Sequence, residues 1–136
     1  MPYSTFESEL TVRPDDIDMN NHVHFSKYLD YVLAARYDQM KRCYGMAMEE
    51  FVAKGFGWVV KSCQIEYKRP LALADTIVVR TSIDGLTKTD AFVKFEILRK
   101  DTGKTVAQGR FEYTHVRLDT GRAEVIPEDV IRHYSV

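Results

Sequence analysis

Phe6 to Val12 alternates, with Phe6, Ser8, Leu10 and Val12 set against Glu7, Glu9 and Thr11. That period of two predicts a half-buried strand. Residues 13–21 are polar and contain Pro14, so they predict a loop. From Phe25 or Ser26 the period changes. Phe25, Tyr28, Leu29, Val32, Leu33, Arg36 and Met40 recur at helical spacing and predict one long amphipathic helix, with Gly45 as its C-cap. A short second helix is expected over Met46 to Lys54, closed by Gly55 and Gly57. Beyond it the period returns to two. Strands are expected over Trp58–Tyr67, Thr76–Ile83, Ala91–Arg99 and Thr105–Val116, with Asp84-Gly85, Asp101-Thr102-Gly103 and Asp119-Thr120-Gly121 as turns. Pro127 to Tyr134 reads as a terminal helical turn.

This order predicts an α+β fold, an antiparallel sheet of about five strands wrapped around one long central helix. Consecutive strands joined by tight turns are expected to pair with each other. Both parities of these strands carry hydrophobes: Trp58, Val60, Phe92 and Leu98 on one, Val59, Cys63, Ile65, Val93, Phe95 and Ile97 on the other. More than one helix must then cover the sheet, which predicts self-association as a homodimer or homotetramer.

Length fits a single domain over residues 1–136. A core this size leaves little room for a deep private pocket. With 19 basic and 20 acidic residues, the chain has no electrostatic footprint for nucleic acid. Met1 to Leu10 has no basic n-region or apolar h-region, and no run approaches a membrane span, so neither a leader nor a membrane partner is expected. Cys43 and Cys63 form no CxxC pair and read as free thiols of a reducing cytoplasm.

The candidate chemistry lies in Arg13-Pro14-Asp15-Asp16-Ile17-Asp18-Met19-Asn20-Asn21-His22-Val23-His24, a run of carboxylates, amides and imidazoles leading into the positive end of a helix dipole. Such a loop can supply a carboxylate that attacks a carbonyl or activates water. The helix start can supply N–H donors to the developing oxyanion. Asp18, His22 and His24 are a weak metal spacing with no further Cys or Glu nearby, so neither metal nor cofactor is expected. Ser26 lacks the Gly-x-Ser-x-Gly frame of a serine hydrolase.

Arg13, Asp16-Ile17-Asp18, His22-Val23 and the helix with Tyr28-Leu29 resemble the signature of the 4-hydroxybenzoyl-CoA thioesterase-like superfamily of hotdog enzymes. Asp18-Met19-Asn20-Asn21-His22 also resembles the Asp-x-Asn-x-His motif of plant-type acyl-ACP thioesterases. Tyr67-Lys68-Arg69-Pro70 and Ala74-Asp75 resemble the family's Tyr-x-x-Pro and Gly-Asp region, although Pro70 stands where the plant-type enzymes carry an acidic residue. The resemblance implies a hotdog fold and hydrolysis of an acyl-CoA or acyl-ACP. It makes Asp18 the catalytic carboxylate, with Asn20 and His22 assisting and Asp16 the structural capper of the two aspartates. His24 reads as an exposed or helix-start residue. Trp58 and Phe56 are candidates for an acyl tunnel. Lys68 and Arg69, with Lys88, Arg110 and Arg117, are candidates for the carrier phosphates. Two alternatives are a hotdog enoyl-thioester hydratase, whose Asp-x-Asn-Pro-x-His motif is met imperfectly because Asn21 replaces the proline and His22 comes one residue early, and a non-catalytic acyl-binding or scaffold protein.

Overall fold

A computed structural model describes residues 3–136. Met1 and Pro2, part of the stretch read for a leader, lie outside the described residues. Strand β1 (Thr5–Thr11) leads through a 3-10 turn (Pro14–Asp16) into helix α1 (Phe25–Arg42) and a short helix α2 (Met48–Ala53). Strands β2 (Phe56–Tyr67), β3 (Thr76–Leu86), β4 (Asp90–Arg99) and β5 (Thr105–Arg117) follow, then helix α3 (Glu128–Tyr134). The sheet is antiparallel, in the order β1-β3-β4-β5-β2. Among the described residues no helix is long and apolar enough to cross a membrane.

One expected pairing is overturned. β2 does not pair with β3, its neighbour in sequence; it pairs with β5 and takes the opposite edge of the sheet from β1. The segment between them, residues 68–75, bends at Arg69 and turns at Leu73-Ala74, where Asp75 N–H donates to Ala72 O at 3.2 Å. It crosses the end of the sheet, where Val23 N–H donates to Leu71 O at 2.8 Å and Val12 N–H to Asp75 O at 2.9 Å. That crossing ties the loop before α1 to the sheet.

The core face of α1 is also rotated from the expected stripe. Tyr28, Tyr31, Val32, Ala35, Arg36, Gln39 and Met40 are buried, while Phe25 and Leu33 are 64% and 42% exposed. Gln39 escapes the apolar pattern yet is fully buried, because its polar atoms are satisfied. Its Nε2 donates to Ser8 Oγ at 3.1 Å and Val79 O at 3.4 Å, and its Oε1 accepts from the Thr81 hydroxyl. The helix ends at Arg42 with Cys43 as its C-cap, and Gly45 follows in the left-handed region at φ 71°.

The two-sided hydrophobicity of the strands has a local cause. Residues directly opposite one another in an antiparallel ladder share a face. Before the bulge between Val60 and Ser62, Trp58 faces His115 and Val60 faces Tyr113; after it, Cys63 faces Phe111 and Ile65 faces Gly109. The bulge shifts parity by one. Trp58, Val60, Cys63, Ile65 and Tyr67 therefore share the inner face. The outer face carries Glu7, Arg80, Lys94, Glu96, Arg110 and Glu112, joined in ion pairs such as Arg80–Glu96 at 3.7 Å and Arg110–Asp84 at 3.1 Å. The uncovered apolar surface lies instead along β2, where Val60 and Tyr67 are 47% and 46% exposed. α1 packs over β1 and β3 and touches β2 at Tyr67, while α2 packs against β2.

Candidate active site

Asp16 and Asp18 have separate surroundings. Asp16 is buried, and its Oδ2 accepts from the Tyr31 hydroxyl at 2.7 Å and from Arg13 N–H at 3.1 Å. The Asp16 carbonyl accepts from His24 N–H at 2.9 Å. Asp16 thus pins the loop to α1. Burial and this carboxylate push the Tyr31 phenol well above 10.0.

Asp18 closes the loop that follows. Ile17 and Val23 form a bridge, and the Asp18 N–H donates to His22 O at 2.9 Å. Asn21 takes the left-handed conformation at φ 59°, which asparagine tolerates. The Asp18 Oδ1 accepts from Asn20 N–H at 2.9 Å and His22 N–H at 3.2 Å. Its Oδ2 has no hydrogen-bond partner among the described residues. One oxygen is held and the other is left free of hydrogen bonds among the described residues.

Asn20 and His22 contribute these backbone N–H groups; their side chains are exposed and do not contact the Asp18 carboxylate. His24 is the N-cap of α1, its Nδ1 accepting from Ser26 N–H at 3.3 Å. Lys27 N–H goes to His24 O at 2.9 Å. The Phe25 N–H is left without an acceptor among the described residues. Among those residues no three His, Cys, Asp or Glu side chains gather as a metal site.

Tyr67, at the end of β2, joins the sheet to this helix start. Its hydroxyl donates to Phe25 O at 3.1 Å and its ring meets Phe25 edge-on at 6.5 Å. Burial raises its phenol, so it stays a neutral donor at neutral pH. The Tyr-x-x-Pro resemblance pointed to Tyr67 but not to this contact. Lys68 and Arg69 follow directly and line an open recess with Lys104 and Thr105. They form a basic patch at the same end of the fold.

Trp58 lies elsewhere. It packs on Phe51 at 5.8 Å and His115 at 5.0 Å, near the start of β2. Nine residues of strand separate it from Tyr67, about 30 Å. Within one protomer the structure does not bring Trp58 to Asp18, because β2 runs from the α2 end of the sheet to the start of α1. Phe56 is likewise remote, stacked on His115 at 5.0 Å. Of the other basic candidates, Arg110 is paired with Asp84 and lies over the Phe92 ring at 4.4 Å, and Arg117 is paired with Asp119 at 3.2 Å.

A model of the thioesterase-like superfamily matches residues 12–133. The chain is 23% identical over 117 residues to the long-chain acyl-CoA thioesterase FadM of Escherichia coli, covering 86% of this chain and 87% of that one. Among solved structures, a 1,4-dihydroxy-2-naphthoyl-CoA thioesterase from Synechocystis superposes with a TM-score of 0.88 at 17% identity, covering 96% of both chains. A DHNA-CoA thioesterase from Staphylococcus aureus superposes at 0.90 with 19% identity, covering 96% of this chain and 89% of that one. These relatives are named as thioesterases, and the shared architecture is the hotdog fold. With a family model matched from the residue after β1 into α3, the chain belongs to the thioesterase-like superfamily.

Proposed function

We propose that the protein hydrolyses an acyl thioester, an acyl-CoA or acyl-ACP, to the free acid and thiol, with Asp18 as nucleophile or general base. The observation that carries this reading is the state of Asp18. Two N–H bonds fix one carboxylate oxygen while the other makes no hydrogen bond among the described residues. A fixed carboxylate loses little freedom on reaching the reactive geometry. Negative charge developing on the thioester oxygen would be met by the unoccupied Phe25 N–H and the helix dipole. The thiolate is a fair leaving group, so no strong general acid is required. Lys68 and Arg69 suit the phosphates of the carrier. Phe25 and Met19, 64% and 99% exposed, offer apolar surface beside Asp18.

Among the described residues, β2 presents an unpaired edge with exposed inner-face residues. Exposed edges of this kind are ordinarily paired or covered. We therefore read the working unit as a homodimer, or a homotetramer built from it, in which a second subunit supplies the missing wall. Trp58 would serve the acyl chain only in such an assembly. The free thiols Cys43 and Cys63 suit a reducing compartment, and we place the protein in the cytoplasm.

The test is thiol release from acyl-CoAs and acyl-ACPs spanning short aliphatic, long aliphatic and aromatic acyl groups. Release from at least one class supports the reading, and the best substrate names the acyl class. No release, together with hydration of an enoyl-thioester, would transfer the fold to the hydratase reading.

A further inference from the structure

The start of α1 carries few of the devices that ordinarily hold a helix end. Its N-cap is His24, outside the Ser, Thr, Asp and Asn that favour that position. The His24 Nδ1 accepts from Ser26 N–H at 3.3 Å and lies 2.8 Å from Ser26 Oγ. No acidic residue stands in the first turn to complement the helix dipole. Helix ends held this loosely open more readily than the rest of the element. Yet Phe25, the first helical residue, carries the N–H that the hydrolytic reading offers to the thioester oxygen.

Phe25 is held from β2 instead. Tyr67 is the last residue of that strand, and its hydroxyl donates to Phe25 O at 3.1 Å across 42 residues of chain. The carbonyl thus accepts a bond from outside its own helix. The Tyr67 ring is fixed in turn. It meets the Phe25 ring edge-on at 6.5 Å and the ring of buried Tyr28 edge-on at 5.1 Å. Phe25 also stacks on the His24 ring at 4.6 Å. Phe25 is largely exposed, so burial does little to place it, and these contacts do.

We propose that Tyr67 is a positioning residue for hydrolysis: its hydroxyl, acting through Phe25 O, holds the Phe25 N–H where negative charge gathers on the thioester oxygen. The role rests on the thioesterase reading and adds to it a residue that acts without touching the substrate. Oxyanion donors work by being fixed before the charge develops. A donor on an opening helix end would be out of line part of the time, and a displacement of about 1 Å is enough to slow a reaction. The benefit falls on the transition state, so kcat should depend on the Tyr67 hydroxyl and KM should not.

The test compares the wild type, Tyr67→Phe and Asp18→Asn on the best acyl thioester, with melting curves and hydrogen exchange across the first turn of α1. Tyr67→Phe deletes one oxygen and keeps the ring, so it should stay folded at the assay temperature. Its kcat should fall about three- to tenfold, the size of one neutral hydrogen bond, at unchanged KM. Amide exchange over residues 26–29 should quicken by a similar factor. Unchanged kcat in Tyr67→Phe while Asp18→Asn is inactive would overturn the positioning role and leave the hydrolytic reading standing. A raised KM at unchanged kcat would also overturn it, because the hydroxyl would then be a substrate contact. No thiol release from the wild type removes the hydrolytic reading itself, and this role with it.

Discussion

At the residue scale, two aspartates two positions apart have different surroundings, and our proposal gives structure to one and chemistry to the other. Asp16 is buried on the Tyr31 hydroxyl, whereas Asp18 holds its own loop and keeps an oxygen free. Asp16→Ala should therefore lower unfolding free energy by about 1–3 kcal/mol, the cost of stranding a buried donor, measured by urea denaturation. Tyr31 adds a pH signature. Its phenol is raised in the folded state, so its contribution is intact below pH 10.0 and is lost as the pH rises from there through the raised value. The alkaline fall in stability should be shallower in Tyr31→Phe. Ala74 holds the left-handed region at φ 67°, where the family resemblance has glycine. Ala74→Gly should raise stability by up to about 1 kcal/mol; a lower melting temperature would contradict the strain argument. The spacing of Asp16, Asp18 and His22 was legible in the sequence. The division of labour between Asn20's side chain and its backbone N–H was not, because spacing does not say which atom of a residue is used.

At the element scale, the long helix and all five strands follow from hydrophobic period, with ends shifted by up to three residues: β3 runs through the expected Asp84-Gly85 turn to Leu86, with a bulge between Ile83 and Gly85. The rotation of α1 was not legible. Gln39 belongs to the buried face for reasons that lie on other elements, in Ser8 and Thr81, and Phe25 looks like core only until β2 is placed. The bulge in β2 similarly disguised one inner face as two. Gly109 marks how closely β5 lies against its neighbours: a Cβ there would stand 2.0 Å from Gln64 O and 2.7 Å from the Phe95 ring. Gly109→Ala should cost about 1–3 kcal/mol or more and lower the melting temperature by several degrees. Unchanged melting would mean that the β2–β5 ladder is looser than described.

At the scale of the whole molecule, β2 decides what the chain can be. Sequence order suggested that β2 pairs with β3, and only the long crossing at residues 68–75 sends it to the far edge. There part of its inner face stays exposed, and our proposal of self-association rests on that edge rather than on a two-sided sheet. Light scattering should give a dimer or tetramer at micromolar concentration. Cys63→Glu, a charge on the exposed inner face of β2, should shift the equilibrium toward monomer without unfolding it. If Cys63→Glu becomes monomeric and also loses hydrolysis, the second subunit is part of the site.

The account's central claim is that Asp18 performs the chemistry and Asp16 holds the loop. The most direct measurement is steady-state thiol release on the best acyl thioester by the wild type and Asp18→Asn, with melting curves on both. Asp18 is partly exposed, so the melting temperature should be nearly unchanged. We expect kcat to fall by at least about a hundredfold, as loss of a positioned acid–base group requires. Full activity in a folded Asp18→Asn would contradict the assignment and move the search for the attacking group to the rest of the α1 entrance.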